Sequence, residues 1–193
     1  MKLLDALKLA ELIRDRVLAE FCERVEIVGS VRRARDVVND IDFVCLPKPG
    51  QLGALRARVA ARNNVLKDGP EFLSVANRDG VQVDIWFAHA GGGDMFRKIS
   101  SNWGSLVLCR TGSKEHNIFL ADRAKSMGLK WKTSTGLVAN PDSPEETVVA
   151  GVTEEEIFQT LGMGFIPPAL RERGGAAAAA PQEGPDWAEA FNT

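Results

Sequence analysis

The chain of 193 residues is 45% apolar and 26% charged, with a formal net charge of −2, which suits one large or two small globular units. No run reaches the roughly 18 apolar residues of a membrane span, and the charges scattered through residues 1–21 mark an amphipathic helix rather than a secretory leader; a cytoplasmic protein without membrane contact is expected. Cys22, Cys45 and Cys109 are far apart and only His89 and His116 are present, which argues against a disulfide framework, a thiolate metal site or a histidine-rich metal cluster. The charge is unevenly spread. Residues 1–90 hold 14 basic and 13 acidic side chains, 91–135 hold 8 and 3, and 136–193 hold 2 and 10. The basic middle would attract a phosphate backbone, although a solvated charged face gives the same pattern.

Leu3, Leu4, Leu7, Ala10, Ile13, Val17, Leu18 and Phe21 recur at helical spacing, predicting a helix over 2–21 with one buried face. RVEIVG, residues 24–29, reads as a strand ending in Gly. A polar connector follows, then IDFVCL, residues 41–46, a buried strand stopped by Pro47, Pro49 and Gly50. Residues 51–62 return to helical character. EFLSVAN and VQVDIWFA flank Arg78-Asp79-Gly80, a hairpin signal in which Asp-Gly supplies the positive φ of a tight turn. Alternation puts Gln82, Asp84 and Trp86 on one face of the second strand.

Gly91-Gly92-Gly93 reads as a boundary. Residues 94–108 and 113–127 are predicted helical, the second closed by Gly128. LKWKTSTGLV and TVVAGV suggest short strands. Glu154–Leu161 is a short helix with acids in its first turn. Residues 174–193 begin in a low-complexity stretch and are expected to be disordered; Trp187 and Phe191 there suit either docking or a partner-binding tail.

The chemistry-bearing unit is Gly29-Ser30, Arg32-Arg33 and Asp40-Ile41-Asp42. Aspartates at i and i+2 of a strand share a face, where they would repel without a cation. Hard oxygen ligands suit Mg²⁺. Asp84 lies mid-strand between Val83 and Ile85, an odd place for a solvated charge. If the hairpin pairs beside residues 41–46, Asp84 joins the other two, and three carboxylates can hold two metal ions roughly 3.5–4 Å apart. The bland alternative is an Asp-x-Asp that merely caps a turn. Gly29-Ser30 lets backbone amides and a hydroxyl approach a phosphate closely, and Arg33 supplies a fork of donors for phosphate oxygens.

The order G-S-x-R-R-x6-D-x-D, from Gly29 to Asp42, resembles the palm signature of family X DNA polymerases, the DNA polymerase beta group. Thr111-Gly112-Ser113-Lys114-Glu115-His116-Asn117 resembles the segment opening that family's thumb, and residues 154–173 are similar to its C-terminal helix and proline turn. The bacterial members are the most similar. The resemblance implies an α+β fold: a nucleotidyltransferase palm with a mixed sheet and flanking helices over 1–90, then a small α+β thumb over 94–173. It implies a monomer taking nucleoside triphosphates and a DNA primer-template or gapped duplex. Asp40 and Asp42 would bind two Mg²⁺ ions, with Mn²⁺ as a substitute, and Asp84 the catalytic one. Gly29, Ser30, Arg33 and the Asn39 amide would hold the triphosphate. Gly112, Ser113 and Asn117 would meet the sugar and base, across a cis Gly112–Ser113 bond. Arg32 would bridge palm to thumb through Glu154. Lys114, His116, Lys125, Lys130 and Lys132, with Arg97 and Lys98, would face the nucleic acid.

Departures qualify the expectation. Only one helix is expected before the palm signature, so neither the lyase domain nor the fingers region of larger family members is expected. Cys109-Arg110 stands where the family has two aromatics crowding the sugar, so weak discrimination against ribonucleotides is expected. Ala121 replaces an arginine that reaches the template, which implies low fidelity, and Gln82 replaces a basic neighbour of the third aspartate. The leading expectation is template-directed repair synthesis in short gaps. The alternatives are a template-independent terminal or small-substrate nucleotidyltransferase and a non-catalytic nucleic-acid-binding remnant.

Overall fold

The structure is a computed structural model and describes residues 1–93 and 98–172. The predicted first helix is α1 (Leu3–Ile13), which runs on as a wider π-helical turn over Arg14–Leu18. After it come β1 (Cys22–Ile27), a single helical turn α2 (Gly29–Arg32), β2 (Asp40–Pro47), α3 (Leu52–Ala60), β3 (Asn64–Gly69), β4 (Phe72–Ala76) and β5 (Gln82–Phe87). The strands form one mixed sheet in the order β1-β2-β5-β4-β3. Only β2 and β5 run parallel; the other neighbours are antiparallel. β4 and β5 are the predicted hairpin, with Gly80 at φ +77 in its turn. β3 escapes the sequence pattern because its first five residues are all exposed, leaving no alternation to read at this sheet edge.

The two faces of the sheet are covered differently. Ile41, Phe43, Val83 and Ile85 point to one face and pack with Leu18, Leu55 and Val59 from the helices behind. On the other face β2 is split. Val44 and Leu46 pack under Trp103, Leu106 and Val107, while Asp40 and Asp42 precede that cover and stay partly accessible. The sequence of one strand thus decides where the apolar lid ends and a polar cleft begins.

Gly92–Gly93 (β6) and Lys98–Ile99 (β7) form a small ribbon, so the predicted helix over 94–108 is corrected: α4 spans Trp103–Thr111. The Ser101 hydroxyl donates to the His89 carbonyl, and Asn102 Oδ1 accepts from the His89 amide. Ser101 Oγ also accepts from the Trp103 amide at 3.2 Å, and such a side-chain bond two residues along the chain competes with helix formation. Residues 94–97 lie outside the described residues, as do 173–193, where the expectation of disorder and any docking by Trp187 or Phe191 fall.

Beyond α4 come α5 (Lys114–Ser126), β8 (Lys130–Lys132), β9 (Gly136–Ala139), β10 (Thr147–Ala150), α6 (Glu154–Thr160) and a 3₁₀ turn at Pro168–Leu170. The three strands form an antiparallel sheet, and a second core gathers Leu108, Leu120, Leu137, Ile157 and Phe158. α5 ends as predicted, with Gly128 at φ +73 beyond its last turn. The regions are tied by Arg32, whose guanidinium donates to both Glu154 oxygens at 3.0 and 2.7 Å. Arg171, fully buried, donates to Glu154 Oε1 at 2.7 Å. Among the described residues no helix is long and apolar enough to cross a membrane.

Candidate active site

The parallel pairing of β2 with β5 sets Asp42 directly opposite Asp84 and Asp40 opposite Gln82. Because side chains alternate along each strand, Asp40, Asp42 and Asp84 share one sheet face, the one α4 leaves open. Gly29 lies against the Asp42 carboxylate at φ +64, and a methyl group there would overlap Asp42 Oδ2. The Val28 amide donates to the Asp42 carbonyl at 2.9 Å, so the turn after β1 is pinned to the acid-bearing strand. Burial, then the neighbouring carboxylates of Asp40 and Asp84, push the Asp42 carboxyl up to about 7; Arg33 and Arg110 pull it partly back.

Asp84 is held from its own face. The Ser74 hydroxyl donates to its Oδ1 at 2.6 Å and Gln82 Nε2 to the same oxygen at 3.0 Å. Beside the acids, the Arg110 guanidinium stacks 3.2 Å from the Trp86 ring centre. Among the described residues, no three acidic, histidine or cysteine side chains are gathered closely enough to close around a metal ion. The donor set nevertheless fits one. It is all hard oxygen, and the raised Asp42 signals negative charge that a cation would relieve.

Ser30, Arg33, Arg35, Asn39 and Lys114 line an open polar cavity of about 370 Å³ that also includes Asp40. The Ser30 hydroxyl is buried without a hydrogen-bond partner. The Arg33 guanidinium donates to the Thr111 carbonyl and, through Nε, to Glu172.

The Gly112–Ser113 peptide is cis, with Gly112 at φ +71. Ser113 caps α5 by accepting from the His116 amide at 3.3 Å and donates to the Arg171 carbonyl at 2.8 Å, so its hydroxyl is already engaged. Asn117 Nδ2 donates to the Cys109 carbonyl at 2.8 Å, and its Oδ1 is buried without a partner. Gly112, Asn117, Ala121 and Trp131 help line a second open cavity of about 500 Å³.

Of the expected nucleic-acid contacts, Lys114 and Lys125 are exposed. Lys130 pairs with Asp142 at 2.8 Å and Lys132 with Glu146 at 2.6 Å. His116 is a correction: it is fully buried beside Phe119 and Phe158, with both ring nitrogens unpartnered, and cannot reach a nucleic acid. Burial, then Arg171, lower its pKa to about 4. Trp131 donates its indole N–H to Ser105 at 2.9 Å, a packing role within the second region. Arg97 and the Lys98 side chain fall outside the description.

Sequence reasoning missed Ser74, Arg171 and Glu172. Ser74 was findable, since the hairpin register places it opposite Asp84. For Arg171 and Glu172 nothing local distinguishes a buried or bridging charge from a solvated one.

Residues 106–172 match the family model described as the DNA polymerase beta thumb. Over 178 residues the chain is 27% identical to the DNA polymerase/3′-5′ exonuclease PolX of Bacillus subtilis (strain 168), covering 88% of this chain and 28% of that protein. The chain therefore spans under a third of that relative's length. Two solved structures of Leishmania infantum polymerase beta share the fold. The ternary P/T complex has a TM-score of 0.69 at 18% identity, over 89% of this chain and 76% of that one. The ternary gap complex has a TM-score of 0.67 at 16% identity, over 89% and 70%.

Proposed function

We propose that this chain, a family X relative carrying a DNA polymerase beta thumb, transfers nucleotides to the 3′ end of a DNA primer paired with a template. The observation that carries the reading is the register of two parallel strands, which sets Asp42 against Asp84 with Asp40 on the same face and a glycine turn against the acids. The palm over 1–90, the thumb over 94–173 and action as a monomer belong to the same proposal.

Asp40, Asp42 and Asp84 would hold a pair of magnesium ions, with manganese as a substitute. When bound, the metal supplies a Lewis acid for the attacking hydroxyl and for the charge on the leaving pyrophosphate. The chain's own residues do the positioning. Ser74 and Gln82 hold the Asp84 carboxylate in one orientation, aimed at the incoming 3′ hydroxyl. Ser30, Arg33 and the Asn39 amide grip the β- and γ-phosphates through charge-assisted bonds. Gly112 and Asn117 meet the sugar and base edge; the unpartnered Asn117 Oδ1 supports that role. Lys114 and Lys125 attract the DNA backbone.

The test is extension of a one-nucleotide gapped duplex in Mg²⁺ or Mn²⁺. Asp84→Ala should lose at least about a thousandfold in rate, roughly 4 kcal/mol of transition-state stabilisation; full activity in that variant would remove the reading. With cysteine and arginine in place of a sugar-crowding pair, ribonucleotides should enter with less than about a thousandfold penalty. A second reading, template-independent transfer, is favoured by Ala121, a short side chain lining the second open cavity at the position where a template-reaching arginine is expected. Equal extension of single-stranded and templated primers would select it. Short-gap repair synthesis is the role we assign to the templated activity.

A further inference from the structure

The arginine expected to grip phosphate already holds an anion. Glu172 places one carboxylate oxygen on Arg33 Nε and the other on Arg35 Nη1, the latter at 2.7 Å. A terminal phosphate presents oxygens in the same way, and arginine forks match either group. The same cavity contains the buried, unpartnered Ser30 hydroxyl. Arg35 is aimed there by a turn in which Ala34 takes φ +55 and the Arg35 amide donates to the Ser30 carbonyl at 3.0 Å, a backbone conformation uncommon for a residue with a side chain. The Glu172 side chain is 25% exposed, so it can leave by rotating outward while the neighbouring Arg171 stays buried.

We propose that Arg35 is a second binding residue for the terminal phosphate of the incoming nucleotide, and that Glu172 is a carboxylate placeholder the nucleotide displaces. The inference rests on the nucleotide-transfer reading and adds a residue and a competing internal anion to it. Partial burial raises the Glu172 carboxyl, but Arg33 and Arg35 outweigh that and hold it below the usual carboxylate range, which keeps it anionic at neutral pH. The placeholder keeps two adjacent arginines from facing each other unneutralised in the free protein. It also makes the triphosphate compete for its own site.

Equilibrium binding to the full chain in Mg²⁺ tests this, using a deoxynucleoside triphosphate, the monophosphate and inorganic tripolyphosphate. Glu172→Gln keeps the shape and removes the charge. It should tighten triphosphate and tripolyphosphate binding about three- to tenfold and leave the monophosphate unchanged. Arg35→Gln should weaken the first two by a similar factor; in turnover it should raise KM while kcat holds. Equal or weaker triphosphate binding by Glu172→Gln overturns the placeholder. Loss of monophosphate and triphosphate in parallel, or no loss, overturns the role of Arg35. If no protein binds triphosphate, wild type included, the nucleotide reading fails and takes the inference with it, a pattern distinct from failure in one variant.

Discussion

At the scale of single residues, two titrating groups oppose each other. Asp42 has its pKa raised to about 7 by burial and the neighbouring acids, so from about pH 4 to 7 the folded chain holds a proton that the unfolded chain has released. Stability contributed by that proton is present at low pH and is lost as the pH rises toward 7. His116 has its pKa lowered to about 4 by burial. Its stabilising neutral form is fully present above about pH 6.5 and is lost as the pH falls toward 4. Each effect is of the order of 3 kcal/mol. Without metal, the wild-type stability measured by urea unfolding should therefore change little between pH 4.5 and 6.5. Asp42→Asn should become more stable as pH rises through that window, and His116→Leu less stable. Magnesium should stabilise wild type more at pH 7.5 than at pH 5, because protons compete for the Asp42 carboxylate. Parallel pH profiles for the three proteins would contradict the opposition.

At the scale of elements, two glycines set how closely backbones meet. Gly29 turns the chain out of β1 at φ +64 against the Asp42 carboxylate, and Gly104 lets α4 lie against the backbone of Thr153 just before α6. Gly29→Ala should displace the acid, lowering transfer at least about a hundredfold, roughly 3 kcal/mol of activation free energy, with a smaller loss of stability. Gly104→Ala overlaps backbone rather than a flexible side chain, so it should cost about 1–3 kcal/mol in unfolding. Its transfer rate should be less affected than that of Gly29→Ala. Measuring both quantities for both variants separates a site glycine from a packing glycine; interchangeable effects would refute the distinction.

For the molecule as a whole, Glu154 is the joint. Burial raises its carboxyl, but Arg32 and Arg171 hold it below the usual carboxylate value. It connects the turn after β1, the start of α6 and the chain beyond the 3₁₀ turn. Glu154→Gln leaves Arg171 buried with its main counter-charge gone, so about 3–5 kcal/mol of stability should be lost. Adding Arg171→Met removes the stranded cation and should restore much of it. Urea unfolding of the single and double variants decides this, and a double variant no more stable than the single one would show that charge balance is not what the joint supplies.

Much of the layout was already legible in the amino-acid order. The helical spacing before β1, the Asp-Gly hairpin, the Asp-x-Asp at the head of a buried strand and the Gly-Ser-x-Arg-Arg turn are local patterns, and local sterics and alternation largely set them. β3 had no such pattern, and the start of α4 was misread because the Ser101 side-chain bond to the Trp103 amide won over helical propensity. Whether Asp84 would stand opposite Asp42 or a strand away depended on β5 pairing in parallel with β2, a contact between segments about forty residues apart. The burial of His116 and Arg171 and the seat of Glu172 on Arg33 and Arg35 were likewise decided in three dimensions. A charge carries no sequence mark of its eventual partner; only the packing of distant segments determines whether it meets water, an opposite charge or a ligand.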